Sequence, residues 1–175
     1  AVINTTVADT TKNTEEHIKM MEKSSKENVD ITVFPELSIT GYTCQDLFFQ
    51  KELLDKTYSS LIEIKKKSEK LKGIFVVGAP IKHKNQLFNC AVVISNGTVY
   101  GIVPKTYLPN YNEFYEKRWF STSMDLEDTF INFDGEEVPF SQNVFDAKGF
   151  TFGVEICEDL WTPIPPSTVL SMSGA

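Results

Sequence analysis

Glu36, Lys105 and Cys157 each follow a short apolar run that predicts a buried strand. A carboxylate, an ammonium group and a thiol are the parts required for acyl transfer through a covalent intermediate. The carboxylate takes the thiol proton, the sulfur attacks a carbonyl carbon, and a fixed cation stabilises the oxyanion that forms. The three side chains together therefore predict thiol-dependent acyl transfer.

Each of these side chains also has a plainer interpretation. Glu36 could cap a strand end or face water, and Lys105 could be a solvated lysine. Cys157 could pack as a small buried hydrophobe, as most cysteines do. The two histidines lie elsewhere, His17 in a polar helical segment and His83 in a basic loop. The sequence therefore gives little support to a cysteine–histidine hydrolase.

The residues around Cys157 predict where its sulfur lies. Apolar residues alternate before it, which places Cys157 on the opposite strand face or on the turn that leaves the strand. Acidic Glu158 and Asp159 follow directly, and nearby negative charge raises the pKa of a thiol. A lysine close to the sulfur would offset that effect, so we expect Lys105 to lie near Cys157.

The elements that must position these groups can be read from apolar periodicity and turn residues. Helices between buried strands predict a layered α/β domain, and hairpins favour a mixed sheet over a parallel one. The expected order is a helix over about 13–27, a strand at 31–34, a helix over about 47–70 capped by Asp46, a strand at 73–78, a hairpin over 90–103 turning at Asn96-Gly97, an irregular stretch over about 105–140, and a second hairpin over 143–156 turning at 147–149.

Composition narrows the class of protein. With 17 basic and 24 acidic residues the net charge is −7, which argues against nucleic acid or an anionic membrane surface as a partner. No apolar run approaches the ~20 residues of a membrane span, and no signal peptide is evident.

The three cysteines, Cys44, Cys90 and Cys157, are odd in number and irregularly spaced, so we expect free thiols in a cytoplasmic protein and no metal site. Cys44 and Cys90 are expected to be packing residues.

Three longer strings resemble one branch of the nitrilase superfamily, the glutaminase domains of glutamine-dependent NAD synthetases. Nitrilase relatives in general share a glutamate in a Pro-Glu-Leu segment, a lysine before Leu-Pro and a cysteine after an apolar strand. They do not as a rule share the stretch over 111–120. The strings are VFPELSITGYTCQDLFFQ at 33–50, KTYLPNYNEFYEKRWF at 105–120 and GVEICEDLWTPIPPS at 153–167.

The resemblance implies a role for each matching residue. The catalytic set would be Glu36 as general base, Lys105 as oxyanion stabiliser and Cys157 as nucleophile. The remaining roles concern the substrate, L-glutamine: Tyr111 would contact it, Glu113 would position either the substrate or the lysine, and the backbone N–H of Glu158 would be a second oxyanion donor.

The resemblance also implies a domain organisation. Residues 1–175 would be a partial nitrilase-like glutaminase domain with an α-β-β-α sandwich fold and mixed sheets, truncated at both ends. The end of that domain and a synthetase domain would be absent. The synthetase domain would use ATP and Mg²⁺ to amidate deamido-NAD, whereas this domain would need no cofactor. A homo-oligomer is expected.

Two other functions remain open from the sequence. One is an amidase or carbamoylase of another nitrilase branch, which would act on a simple amide in place of glutamine. The other is a catalytically incompetent fragment that serves as a structural or oligomerisation piece.

Overall fold

A computed structural model describes residues 1–127 and 129–175. The helices and strands in chain order are α1 (Thr10–Lys26), β1 (Ile31–Val33), α2 (Lys51–Ser68), β2 (Ile74–His83), β3 (Gln86–Ser95), β4 (Thr98–Pro104), β5 (Thr129–Phe133), β6 (Glu136–Phe140), β7 (Val144–Ala147), β8 (Phe150–Gly153) and α3 (Pro166–Met172). Segments of 3₁₀ helix lie at Tyr42–Phe49, Glu116–Arg118, Ser123–Asp125 and Cys157–Trp161.

The main sheet is mixed, as the sequence predicts. Its six strands lie in the order β1-β2-β3-β4-β6-β5. The β1–β2 and β4–β6 pairs are parallel, and the other neighbours are antiparallel. Strands β7 and β8 form a separate antiparallel hairpin.

Both faces of the main sheet are covered, and neighbouring residues of a strand pack in different cores. Val77 of β2 packs in the core that includes Met21 of α1 and Leu61 of α2. Val76, the residue before it, packs in the core that includes Phe145 of β7. Because both faces are buried, β2 and β3 consist of nearly continuous apolar runs.

Helices α1 and α2 lie against the first of these cores. The side chain of Asp9 caps α1 by accepting a hydrogen bond from the Lys12 N–H, and the basic residues in the last turns suit the negative end of the helix dipole. In α2 the buried stripe includes Leu53, Leu61 and Ile64. Among the described residues, no helix combines the length and apolar character needed to cross a membrane.

The hairpin between β3 and β4 confirms the Asn-Gly turn. Asn96 and Gly97 both have positive φ, 48° and 75°, which suits the strand twist in a two-residue turn of type I′. The second predicted hairpin is confirmed as β7 and β8, although β8 already ends at Gly153.

Two expectations about elements are wrong. Helix α2 begins at Lys51 rather than about 47, because Gln50 is extended, with φ of −79° and ψ of 120°, and separates α2 from the 3₁₀ segment Tyr42–Phe49. Asp46 consequently does not cap α2, and its carboxylate accepts hydrogen bonds from Arg118 Nε at 2.7 Å and Trp119 Nε1 at 2.9 Å.

The stretch over 105–140 is also less irregular than expected. Its last part is the hairpin of β5 and β6, which turns at Asp134 and Gly135 with φ of 53° and 82°. The Asp-Gly pair is a hairpin signal, but the flanking strands are only five residues long and partly exposed. Their apolar alternation is therefore weak.

Candidate active site

The turn after β1 carries Glu36 and lies directly on β2. The N–H of Phe34 donates to Val76 O at 2.9 Å, and the N–H of Ile39 donates to Gly78 O at 3.1 Å. A Cβ atom on Gly78 would lie 2.4 Å from Pro35 O, so only glycine allows this approach. The turn leaves the Glu36 side chain only 16% exposed.

Lys105 is the first residue after β4, and its side chain is fully buried. Its N–H donates to Asn89 O at 2.8 Å, which continues the pairing of β3 and β4. The ammonium Nζ donates to Glu36 Oε1 at 2.6 Å and to Glu116 Oε1 at 2.9 Å. Burial alone lowers the pKa of Lys105, but the charges of Glu36 and Glu116 outweigh burial and raise that pKa above its ordinary value. The lysine therefore stays charged inside the protein, and the solvated interpretation is wrong.

Glu116 is the second carboxylate at the lysine, and it was not predicted from the sequence. It is 1% exposed, and it also accepts a hydrogen bond from the Tyr42 hydroxyl at 2.7 Å. Burial raises the pKa of Glu116, while the charge of Lys105 opposes that effect. Glu113 is exposed on the turn that precedes this segment. The expectation that Glu113 positions the lysine is corrected to Glu116, and a substrate contact of Glu113 stays a prediction.

Asn89 of β3 is a further polar group of the site that was not predicted from the sequence. It is fully buried, and its Nδ2 donates to Glu36 Oε1 at 2.6 Å. The carboxylate of Glu36 is thus held by Lys105 and Asn89 together. A signal was present in the sequence, because an amide inside an apolar strand requires a specific partner.

Cys157 lies on the turn that leaves the β7–β8 hairpin, at the first position of Cys157–Trp161. It is exposed, whereas Cys44 and Cys90 are buried, which confirms those two as packing residues. Partial burial and the charge of Glu36 raise the pKa of the Cys157 thiol, and the charge of Lys105 lowers it in part. The thiol is therefore protonated at neutral pH, and it needs a base to become a nucleophile.

Tyr111 and Glu158 form a pair next to the thiol. The Tyr111 hydroxyl donates to Glu158 Oε2 at 2.8 Å. This hydrogen bond is the main cause of a raised pKa of Tyr111, and Glu158 directly follows Cys157 in the chain. Two of the residues expected to contact substrate thus lie together at the approach to Cys157.

The structure brings Glu36, Lys105 and Cys157 together from three separate segments. A carboxylate bonded to a buried ammonium group, beside a neutral thiol, can accept the thiol proton while the cation stabilises developing negative charge. Within the described ranges, no three His, Cys, Asp or Glu side chains are grouped so that they could hold a metal ion.

Comparisons with known proteins find similar sequences over nearly the whole chain. The family model described as carbon-nitrogen hydrolase matches residues 1–175. Glutamine-dependent NAD(+) synthetase of Mycobacterium tuberculosis is 38% identical over 176 residues, which cover 98% of this chain and 26% of that protein. The human glutamine-dependent NAD(+) synthetase is 31% identical, with 90% of this chain and 24% of that protein covered. The chain thus spans about a quarter of the length of these curated relatives.

Solved structures show the same similarity in three dimensions. A glutamine-dependent NAD(+) synthetase from Cytophaga hutchinsonii superposes with a TM-score of 0.84 at 29% identity, over 90% of this chain and 27% of that one. An amidase from Nesterenkonia sp. superposes with a TM-score of 0.74 at 19% identity, over 99% of this chain and 60% of that one. The second likeness concerns the fold alone. Together they place the fold with the nitrilase superfamily, as expected.

Proposed function

The chain belongs to the carbon-nitrogen hydrolase family, and on that premise we propose that it hydrolyses the side-chain amide of L-glutamine through Glu36, Lys105 and Cys157. The observation that carries the proposal is the buried ion pair of Lys105 Nζ and Glu36 Oε1 at 2.6 Å, next to a thiol whose pKa both charges affect. The identity to glutamine-dependent NAD(+) synthetases supports glutamine as the substrate.

The proposed reaction begins with proton transfer from Cys157 to Glu36. The sulfur attacks the amide carbon of glutamine, and the carbonyl oxygen becomes an oxyanion. Lys105 and the N–H of Glu158 stabilise that oxyanion. Glu36 then gives its proton to the amide nitrogen, the C–N bond breaks, and ammonia leaves a γ-glutamyl thioester.

The second half of the reaction restores the thiol. Glu36 accepts a proton from a water molecule, whose oxygen attacks the thioester carbon. The C–S bond breaks, glutamate leaves, and the sulfur takes the proton back from Glu36. Glu116 takes no proton in this scheme, and its part is to hold the Lys105 ammonium group as a second carboxylate partner beside Glu36.

The proposal extends to the protein that contains this domain. Ammonia released at Cys157 would be consumed by an ATP- and Mg²⁺-dependent domain that amidates deamido-NAD to NAD. Residues 1–175 would then be the front part of the glutaminase domain of a glutamine-dependent NAD synthetase that works as a homo-oligomer.

Alkylation by 6-diazo-5-oxo-L-norleucine, a glutamine analogue, tests the proposal. We expect mass spectrometry and peptide mapping of the full-length protein to find the label on Cys157 and to find that excess glutamine prevents it. Cys44 and Cys90 serve as internal controls, since both thiols are buried. Cys157→Ala should remove both the label and glutamine hydrolysis.

Other outcomes would favour the alternatives. A full-length protein that hydrolyses a simple aliphatic amide, and whose labelling glutamine does not prevent, would belong to another nitrilase branch. A full-length protein that is neither labelled nor active on amides would reject the enzymatic function and leave a structural role.

A further inference from the structure

The carboxylate of Asp159 joins the two segments that carry Lys105 and Cys157. Asp159 is fully buried. Its Oδ1 accepts hydrogen bonds from the N–H of Thr106 at 3.1 Å and of Tyr107 at 2.7 Å, directly after the lysine. Its Oδ2 accepts from the N–H of Ile156 at 3.0 Å, directly before the cysteine. One side chain therefore holds backbone on both sides of the reaction centre.

The backbone of the nucleophile needs such support. Cys157 has a φ of 47°, in the left-handed region that is sterically disfavoured for residues other than glycine. The N–H of Asp159 donates to Ile156 O at 3.1 Å, while the Asp159 side chain accepts from the Ile156 N–H. These two reciprocal hydrogen bonds bracket Cys157 and close the turn around it.

The sequence suggested a different effect of this residue, namely that its charge would act on the thiol. In the structure its two oxygens accept hydrogen bonds from three backbone N–H groups. Burial raises the pKa of Asp159 overall, and these hydrogen bonds oppose that effect by favouring the charged carboxylate. Thr106 and Tyr107 follow Lys105 without a break, so the same bonds also limit movement of the lysine backbone.

We infer that Asp159 is a positioning residue that fixes the Cys157 turn to the Lys105 segment, so that sulfur and ammonium group keep the spacing that amide attack needs. The inference rests on the proposed function of those two groups. Asp159 touches neither substrate nor the reacting atoms in this role. It acts through the backbone of its neighbours.

Asp159→Asn in the full-length protein is the direct test, because the amide matches the carboxylate in shape but offers only one oxygen. Either Ile156 or the pair of Thr106 and Tyr107 then loses its acceptor. We expect kcat for glutamine hydrolysis to fall about 100-fold, the usual effect of a small misplacement, with KM within about threefold of wild type. As a matched control, Asp134→Asn removes a carboxylate that bonds Lys65 at 3.1 Å on the β5–β6 hairpin, and we expect it to change neither constant.

A second measurement separates this inference from the proposed function. The rate of Cys157 alkylation by iodoacetamide as a function of pH reports on the thiol and needs no glutamine. We expect its midpoint in Asp159→Asn to move down toward that of an ordinary cysteine, since a displaced sulfur loses the partial burial and the charge of Glu36 that raise its pKa. If wild type does not hydrolyse glutamine but this shift occurs, the proposed function fails and the positioning role stands.

Two results would overturn the inference. One is a kcat within about twofold of wild type together with an unchanged alkylation profile, whether or not the melting temperature falls. The other is a loss in kcat of equal size in Asp134→Asn. Should Asp159→Asn lack a cooperative melting transition, Asp159→Ser, which keeps one small acceptor oxygen, is measured in the same two ways.

Discussion

The Lys105 ammonium group lies between two carboxylates, and this arrangement determines how charge moves during the proposed reaction. When Glu36 takes the thiol proton, negative charge passes from an oxygen to the sulfur, and the net charge of the site does not change. A charge that moves within the field of one buried cation needs little solvent rearrangement. The second carboxylate, Glu116, keeps the cation partnered while Glu36 is protonated.

Glu116→Gln tests this charge arrangement. Without the second carboxylate, Lys105 has Glu36 as its one anionic partner. The lysine then stabilises the charged form of Glu36 more strongly, which makes proton transfer from the thiol to Glu36 harder. We expect kcat to fall at least about tenfold and the free energy of unfolding to fall by about 1–3 kcal/mol, because a buried charge loses one of its two partners. Steady-state kinetics and chemical denaturation measure the two effects.

Glu113→Gln provides the comparison for that variant. Because Glu113 is exposed, we expect its replacement to leave kcat and stability near wild type. A raised KM in this variant would support the predicted contact of Glu113 with glutamine. Equal losses of kcat in both variants would contradict the assignment of Glu116 to the lysine.

Glu116 could not be predicted from the sequence, because turns without periodicity determine which residues it contacts. Glu36, Lys105 and Cys157 follow apolar runs, and the end of a strand could be located from the pattern. Glu116 and Glu113 lie three positions apart in a segment of tight turns. Which of them faces Lys105 depends on backbone angles such as the φ of 51° at Asn112. No pattern in the sequence specifies those angles.

At the scale of elements, buried strands and the Asn-Gly and Ala-Lys-Gly turns could be predicted because their signals are local. The start of α2 could not be predicted, because the Asp46 carboxylate has two possible sets of hydrogen-bond donors. As an acidic residue before an apolar helix it is a plausible cap, but Arg118 and Trp119 supply donors from a distant segment. A tertiary ion pair of this kind cannot be read from neighbouring residues.

The contact between β2 and the Glu36 turn makes a prediction at the same scale. Gly78→Ala would place a Cβ atom 2.4 Å from Pro35 O and 2.5 Å from Leu37 N, which are backbone atoms that can yield only if the turn moves. We expect a loss of about 1–3 kcal/mol in the free energy of unfolding and a fall in kcat, because Glu36 moves away from Lys105.

Gly135→Ala is the matched control for that prediction. Gly135 has a φ of 82° and no atom within 4 Å of a Cβ, so its replacement adds backbone strain without a clash near the site. We expect about 1 kcal/mol of destabilisation and an unchanged kcat. Unchanged kcat in Gly78→Ala would show that the turn can shift without moving the base.

In the molecule as a whole, helix α1 is connected through His17 to the turn after β1 that carries Glu36. This side chain of α1 is fully buried. Its Nδ1 donates to Asn13 O at 2.7 Å, so its Nε2 must accept the Ser38 hydroxyl at 2.8 Å. Ser38 is two residues after Glu36. The neutral ring thus connects the first helix with the turn that carries the general base.

This connection predicts a pH dependence of stability. Burial lowers the pKa of His17 from 6.5 to about 4. The contribution of His17 to stability is therefore fully present above about pH 6.5, and it is lost as the pH falls through about 4, because the unfolded chain binds the proton more readily. The total loss is about 3 kcal/mol, the energy equivalent of that shift. Chemical denaturation between about pH 7 and about pH 5, before most carboxylates titrate, should show the first part of this decrease in the free energy of unfolding.

His17→Gln should remove that part of the pH dependence, since glutamine does not titrate. The variant will be less stable near neutral pH, so the comparison concerns the slope of stability against pH and not its absolute value. An identical slope in wild type and His17→Gln would contradict the assignment.

The assembly of the site from distant segments also has a consequence for biosynthesis. Lys105 and Glu36 are 69 residues apart, and Thr106 and Asp159 are 53 apart. Contacts of such long range form late, because the intervening loops must first close. A chain emerging from the ribosome exposes Glu36 and Lys105 well before Cys157, so the β2–β4 sheet can fold before the thiol arrives. Under the proposed function, a nascent chain consumes no glutamine until its last catalytic turn has docked.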